Sequence, residues 1–340
     1  MIYRSKAPLR IGLAGGGTDV SPYSDEFGGA ILNATISLSA YASIEPIAEK
    51  TIIVEALDRK EVHQYDWAPS LPLDGKLDLL KGVYNRIQAN YGMPPTGFRL
   101  STYVDAPAGS GLGTSSTLVV AIVGAFAEML KLPLGEYEIS HLAFEIERND
   151  LQLAGGKQDQ YAATFGGVNF MEFYGNDKVI VNPLRINRNY LHELAHNLVL
   201  YYMNTSRESD AIIKEQVKNV QEKNESSINA MHQLKEQAYH MKEALLKGRL
   251  DEIGQILDYG FQQKRMMAHN ISNSNIEAIY SAAKKAGATG GKISGAGGGG
   301  FIVFYCPGNT RYGVIEAMKS FGGETRDYSF AKYGLTSWTI

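Results

Sequence analysis

Residues 105–117, DAPAGSGLGTSST, join a strand to a helix through a turn that only glycine-rich main chain can make. Upstream, residues 98–104 alternate as a half-buried strand does; downstream, residues 118–130 have the length and apolar content of a packed helix. Gly109, Gly111 and Gly113 free the backbone to turn several N–H groups toward one point, and the helix start adds partial positive charge. Such a turn is built to hold an anion, phosphate above all. Thr114, Ser115 and Ser116 add hydroxyl oxygens of the kind that a phosphate-bound Mg²⁺ takes. No lysine follows the glycines, so the turn is not a GxxxxGK[ST] loop. G-x-G-x-G also ends too early for the dinucleotide fingerprint, which argues against an oxidoreductase.

Two further segments strengthen the phosphate reading. Residues 155–160, GGKQDQ, set Asp159 between Gly155-Gly156 and, downstream, Gly166-Gly167, behind a helix expected over 140–151. Phosphoryl transfer to an alcohol needs a metal on the nucleotide, cations for the phosphates and a carboxylate that takes the hydroxyl proton. Asp159 suits the last role and Glu147 the metal shell. The plain alternative is a solvated helix face holding Glu145, Glu147 and Arg148, and for Glu145 it is preferred. Asp159, by contrast, sits on backbone shaped by tight turns, which surface charge alone would not require. The second segment, residues 292–300, KISGAGGGG, runs straight into an apolar strand over 301–305. Five glycines in six positions cost too much chain entropy to be neutral filler, so close backbone approach is expected there.

A chain of 340 residues suits two domains, each with apolar content enough for a core. Its formal charge of −3 gives no general pull toward nucleic acid or an anionic membrane, so phosphate binding must come from local positive charge. The lone cysteine, Cys306, excludes an intrachain disulfide and reads as a strand end. No apolar run reaches 18 residues, and the expected compartment is the cytoplasm. Strands are expected over 40–46, 51–56 and 197–204, with a hairpin turning at 175–177. Helical spacing covers 212–220 and 228–245, with a break at 224–227. The methionines there read as core filler.

In this order, the three segments resemble the GHMP kinase superfamily, named for galactokinase, homoserine kinase, mevalonate kinase and phosphomevalonate kinase. Residues 7–19, APLRIGLAGGGTD, are similar to its first motif, residues 107–116 to its second and residues 292–300 to its third. The resemblance spans nearly the whole chain. It implies an α+β fold of two domains: residues 1–188, like ribosomal S5 domain 2, holding ATP and Mg²⁺, and residues 189–340, ferredoxin-like, closing the substrate cleft. It implies that Pro107, Ala108, Gly109, Ser110, Gly111, Leu112, Gly113, Thr114, Ser115 and Ser116 wrap the ATP phosphates. Gly295, Ala296, Gly297, Gly298 and Gly299 would support that loop. Ser115 and Glu147 would ligate the metal. Asp159 would be the base, with Arg10 beside it to stabilise the developing alkoxide, and Gly17, Thr18 and Asp19 would meet the sugar. Ser116 stands where relatives often have alanine. Gly16-Gly17 replace the Glu-His of galactokinases, which argues against galactose.

Within the superfamily, the wording PLRIGLAGGGTDVSPY, GSGLGTSS and AGGKQDQYAATFGGVNF is most similar to the heptose 7-phosphate kinases, which resemble the kinase half of L-fucokinase. Fucokinase-like relatives tend to carry an aromatic residue where this chain has Lys157. An ammonium near the base suits an acceptor that bears its own phosphate, so Lys157 is expected to hold that phosphate. Arg207 offers a further contact, against which stands a plain helix start. Lys264 and Arg265 are left between cleft and solvent, and the adenine pocket is assigned loosely to residues 57–84. The expected reaction moves the γ-phosphoryl of ATP to the anomeric C1 hydroxyl of D-glycero-D-manno-heptose 7-phosphate, giving the 1,7-bisphosphate for nucleotide-activated heptose. Its rivals are a kinase of an unphosphorylated sugar, L-fucose or galactose, and a catalytically silent sugar and nucleotide sensor on the same fold.

Overall fold

Two sheets and their helices are described by a computed structural model over residues 1–205 and 209–340. The strands are β1 (Tyr3–Ala14), β2 (Gly29–Ile47), β3 (Thr51–Ala56), β4 (Glu61–Asp66), β5 (Gly97–Val104), β6 (Val168–Phe173), β7 (Val179–Pro183), β8 (Leu198–Tyr202), β9 (Gly290–Ile293), β10 (Phe301–Tyr305), β11 (Glu324–Arg326) and β12 (Thr336–Thr339). The first sheet runs β12-β1-β2-β5-β3-β4, with β6 and then β7 added along the other end of β2. Its long strand β2 makes this branching possible: Ala40 to Ile47 pair with β5, and Gly29 to Ala34 pair with β6. All pairs are antiparallel except β3 with β5. The second sheet, β11-β8-β10-β9, is antiparallel, and its strand–helix–strand–strand–helix–strand connectivity is the split β-α-β pattern.

Alternation along β1 aims the site. Successive strand side chains point to opposite faces, so Leu9, Ile11 and Leu13 enter the core while Arg10 and Gly12 face the cleft. The same core takes Leu200 and Tyr202 of β8, Phe301 and Val303 of β10, and Ala238, Met241 and Leu245 of the helix Glu225–Lys247. One apolar body therefore joins the two domains and fixes the walls of the cleft against each other. That helix begins at the expected break, where the Asn224 side chain accepts a hydrogen bond from Ser227 N at 3.1 Å.

The structure alters two expectations. A division at 188/189 separates the two sheets except for the end of the chain. Ala331 N donates to Thr35 O and β12 pairs with β1, so the C-terminal stretch covers an edge of the first sheet that would otherwise lie open. The helix expected over 140–151 is Glu136–Glu145 followed by a π-helical turn, Ile146–Asp150. No helix among the described residues is long and apolar enough to cross a membrane.

Candidate active site

Between β5 and the helix Thr114–Leu130, Gly109, Gly111 and Gly113 hold φ of 71°, 85° and 78°, values that residues with a Cβ rarely adopt. A Cβ at Gly111 would lie 2.5 Å from the Ser294 carbonyl oxygen, and one at Gly295 would lie 2.6 Å from Gly111 Cα. The second and third glycine segments are thus pressed together main chain to main chain. Phe301 N donates to Ser110 O at 2.9 Å and Ser294 Oγ to Gly111 O at 2.8 Å, which locks the pair. Leu112 is buried in the core and anchors the loop, while Pro107 and Ala108 begin it from the surface.

Asp159 lies in the first turn of the helix Gln158–Phe165, against this loop: a Cβ at Gly113 would come 3.2 Å from its Oδ2. Arg10 fixes its direction, with Nε and Nη2 donating to Oδ1 at 2.7 and 2.6 Å. The third guanidinium nitrogen, Nη1, donates to Gly111 O at 2.6 Å and so ties carboxylate to loop. The glycines before Asp159 make room for two other side chains. A Cβ at Gly156 would collide with the Asp19 carboxylate, and one at Gly155 with the Arg148 guanidinium. Asp19 is buried and accepts from Gln158 N at 3.0 Å; burial pushes its carboxyl above the ordinary range, with the Asp159 charge adding to the effect.

Glu147 lies in the π-helical turn and is 1% exposed. Ser116 Oγ donates to its Oε1 at 3.1 Å and Gln160 Nε2 to its Oε2 at 2.5 Å, while burial pushes its pKa upward. Arg148 Nη1 stands 3.9 Å from Oε1, and a carboxylate buried this deeply gains from a further cation beside it. Ser115, one residue from that bridge, is exposed on the cavity wall. One carboxylate and one hydroxyl suit Mg²⁺, which takes few protein ligands and completes its shell from phosphate and water.

These groups line one cavity of ≈ 260 Å³ that gathers Arg10, Gly17, Asp19, Glu147 and Asp159 with the glycine loop and Gly295. A second cavity of ≈ 400 Å³ adjoins it through Thr114, Ser115 and Leu153. Ala56, Leu77, Leu80, Val104 and Leu118 give it apolar walls of the kind a nucleotide base fills. Part of that wall falls within residues 57–84.

Several expected contacts lie elsewhere. Thr18 is fully buried behind the first motif, its one hydroxyl proton shared between Gly15 O at 2.9 Å and Ala30 O at 3.0 Å while its oxygen accepts from Ala30 N, and it does not line the cavity. Lys157 turns away from the cavity to pair with Asp177 at 3.0 Å and Asp25 at 3.5 Å, above the Phe144 ring. Gly297, Gly298 and Gly299 do not line the cavity and face other segments: a Cβ at Gly297 would meet Ile271 at 2.9 Å, Gly298 N donates to Ile271 O at 2.8 Å, and a Cβ at Gly299 would meet Thr205 O at 2.9 Å. Arg207 lies outside the described residues. Arg148, grouped with a solvated face in the plain alternative, lines the cavity and donates to Leu153 O and Gly156 O at 3.1 and 3.2 Å. Two lysines without an assigned role also line it. Lys264 ends the helix Ile253–Arg265 and Lys292 lies on β9; both are buried. A signal for Lys264 was present, since it continues the buried stripe of Leu257 and Phe261.

Comparison with known proteins agrees with this geometry. Residues 78–167 match the family described as GHMP kinases N terminal domain, and residues 241–324 match GHMP kinases C terminal. The D-glycero-alpha-D-manno-heptose 7-phosphate kinase of Campylobacter jejuni is 48% identical over 337 residues, 99% of either chain. The L-fucokinase/L-fucose-1-P guanylyltransferase of Bacteroides fragilis is 27% identical over 87% of this chain and 34% of its own. A crystal structure described as a D-glycero-D-manno-heptose 1-phosphate kinase from Bacteroides thetaiotaomicron superposes with a TM-score of 0.85 at 46% identity, covering 99% of each chain. Lactococcus lactis galactokinase complexed with galactose shares the fold, with a TM-score of 0.77 at 19% identity over 98% of this chain and 95% of its own.

Proposed function

The chain belongs to the GHMP kinase family of ATP-dependent phosphotransferases, and on that premise we propose that it phosphorylates the anomeric hydroxyl of D-glycero-D-manno-heptose 7-phosphate, giving the 1,7-bisphosphate. The observation that carries the reading is the meeting of Asp159, Arg10, Asp19 and the glycine loop in one cavity beside a slot fit for a nucleotide base. The Campylobacter jejuni relative, nearly half identical along its whole length, is named a heptose 7-phosphate kinase, which supports a heptose phosphorylated away from C1 as acceptor. The name L-fucose-1-P in a more distant relative supports the anomeric oxygen as the site of transfer.

In this reading, main-chain amides of residues 109–114 and the start of the helix behind them hold the ATP phosphates. Ser115 and Glu147 would hold Mg²⁺, which neutralises phosphate charge when bound. Asp159 takes the proton from the sugar hydroxyl as the oxygen attacks. Arg10 keeps that carboxylate aimed and, from the same position, stabilises negative charge on the oxygen. The buried Asp19 carboxylate and Gln158 Oε1, which has no partner among the described residues, supply acceptors for sugar hydroxyls. No covalent enzyme intermediate is needed.

A screen of ADP release over free and phosphorylated heptoses, hexoses and 6-deoxyhexoses tests the reading. Heptose 7-phosphate is expected to lead and its product to lose the reducing end. Faster turnover of L-fucose, or a product that keeps its reducing end, overturns it.

A further inference from the structure

We propose that Lys264 and Lys292 together form a seat for a second phosphate, the one that the acceptor sugar already carries. This rests on the sugar-phosphate kinase reading above. The two side chains come from different elements, the end of the helix Ile253–Arg265 and strand β9, yet both ammonium groups arrive at Gly16. A Cβ at Gly16 would lie 3.7 Å from Lys264 Nζ and 3.9 Å from Lys292 Nζ, so the bare glycine keeps the space between them and the cavity open.

Neither ammonium has a partner that matches its charge among the described residues. Lys264 Nζ donates to Gly295 O at 2.5 Å and Lys292 Nζ to Gly12 O at 2.7 Å. An ammonium carries three donors, so each lysine has hydrogen-bonding capacity left over, and the residues are only 3% and 6% exposed. Buried cations in that state call for an anion. Burial, the Arg10 charge and, for Lys292, the Lys264 charge push their pKa values down; Asp19 and Asp159 oppose this only in part at Lys264, and an anion bound between the lysines would oppose it at both.

The other cations lining the cleft, Arg10 and Arg148, have carboxylate partners. Arg10 is paired with Asp159 at 2.6 Å, and in the proposed reading the nucleotide phosphates would take the loop amides and the metal. A free sugar brings only hydroxyls and would leave both ammonium groups uncompensated. A phosphate monoester brings nearly two negative charges and three strong acceptor oxygens. Position favours the acceptor over the nucleotide, because neither lysine lines the base cavity, both stand beside Gly16 of the first motif, and Lys292 also stands beside Gly12. Lys157, the residue expected to do this work, is committed to Asp25 and Asp177.

Calorimetric titrations of the full chain with heptose 7-phosphate, the same heptose without phosphate, ADP and a non-hydrolysable ATP analogue distinguish the sources of phosphate. Lys264→Met and Lys292→Met are each expected to weaken binding of heptose 7-phosphate about 10- to 100-fold, as loss of a charge-assisted hydrogen bond predicts, with free heptose and ADP unchanged. Lys264→Arg retains the charge and should keep most of the preference for the phosphorylated sugar. Equal loss for both sugars overturns the proposal. Selective loss of the ATP analogue relative to ADP also overturns it, and assigns the lysines to the phosphoryl group in transfer. The readout is the ratio of two sugar affinities, which partial unfolding scales alike. If either methionine variant fails to fold, Lys264→Gln and Lys292→Gln are read by the same ratio. A wild-type protein that binds heptose 7-phosphate through these lysines but releases no ADP with any sugar would sink the proposed function and leave the seat standing.

Discussion

The two sides of the cleft present positive charge by different means. On the nucleotide side it comes from main-chain amides, displayed by glycines at positive φ and braced by the 294–300 segment pressed behind them. On the side proposed for the acceptor it comes from the ammonium groups of Lys264 and Lys292, delivered by the second domain. An amide cannot titrate and a lysine can. A loop that depends on absent side chains is broken by adding one, whereas a pair of lysines is broken by removing one or by raising the pH.

The largest effect is expected at the seam between the two sides. Asp159→Asn keeps the size and removes the proton acceptor, so turnover measured by ADP release should fall about 10²- to 10⁴-fold while calorimetry still detects both substrates. A fall of less than about tenfold would remove Asp159 from the role of base.

Next comes the nucleotide side. Gly300 holds a φ of 83°, and a Cβ there would lie 2.7 Å from the Ser110 carbonyl carbon. Gly300→Ala therefore strains the backbone by about 1–3 kcal/mol and pushes on the phosphate loop. ADP affinity is expected to weaken about tenfold and the melting temperature to drop, with less effect on the sugar. Equal weakening of both would erase the distinction drawn between the two sides.

Raising the pH should act on the acceptor side alone. Burial, helped by the Arg10 charge and opposed by Asp19 and Asp159, lowers the Lys264 ammonium to about 8, and Lys292 stands beside it. Its charge is present below that pH and lost above it. Between pH 7 and 8.5 the apparent affinity for heptose 7-phosphate should fall about fourfold with ADP affinity flat, and binding near pH 8 should take up protons, read from buffers of different ionisation enthalpy. The linkage to folding has the opposite sense. From about pH 8 to the ordinary lysine range the unfolded chain holds a proton that the folded chain does not, so this group's contribution to stability rises with pH.

The smallest effect is expected at Lys157. Lys157→Met keeps the packed stem and frees Asp25 and Asp177, which are 38% and 55% exposed and can hydrate. The loss should be about 0–1 kcal/mol of stability, with the KM for the sugar phosphate unchanged. A selective rise in that KM would return the acceptor phosphate to Lys157.

Much of the fold was legible along the chain. The strand–glycine turn–helix unit, the β6–β7 hairpin and the helix break at Asn224 are all signalled by residues that act within one turn of themselves. The return of β12 to β1 carries no such local signal, because pairing of residues 3–6 with 336–339 depends on where the whole second domain ends. Within the site, helix geometry already bears on the Lys157 expectation. Residues two apart at a helix start lie on nearly opposite faces, so with Asp159 turned into the cavity, Lys157 turns away from it.

By itself the sequence determined the parts of this protein that are made of main chain: which glycines turn between strand and helix, and that Asp159 stands on a turn of its own. Spacing along the chain is enough for these because backbone conformation is set locally. Which ammonium groups face the cavity was decided only by the tertiary structure. Gly12, Lys264 and Lys292 are remote in sequence, and the direction of a long side chain follows from how its element packs rather than from its neighbours in the chain.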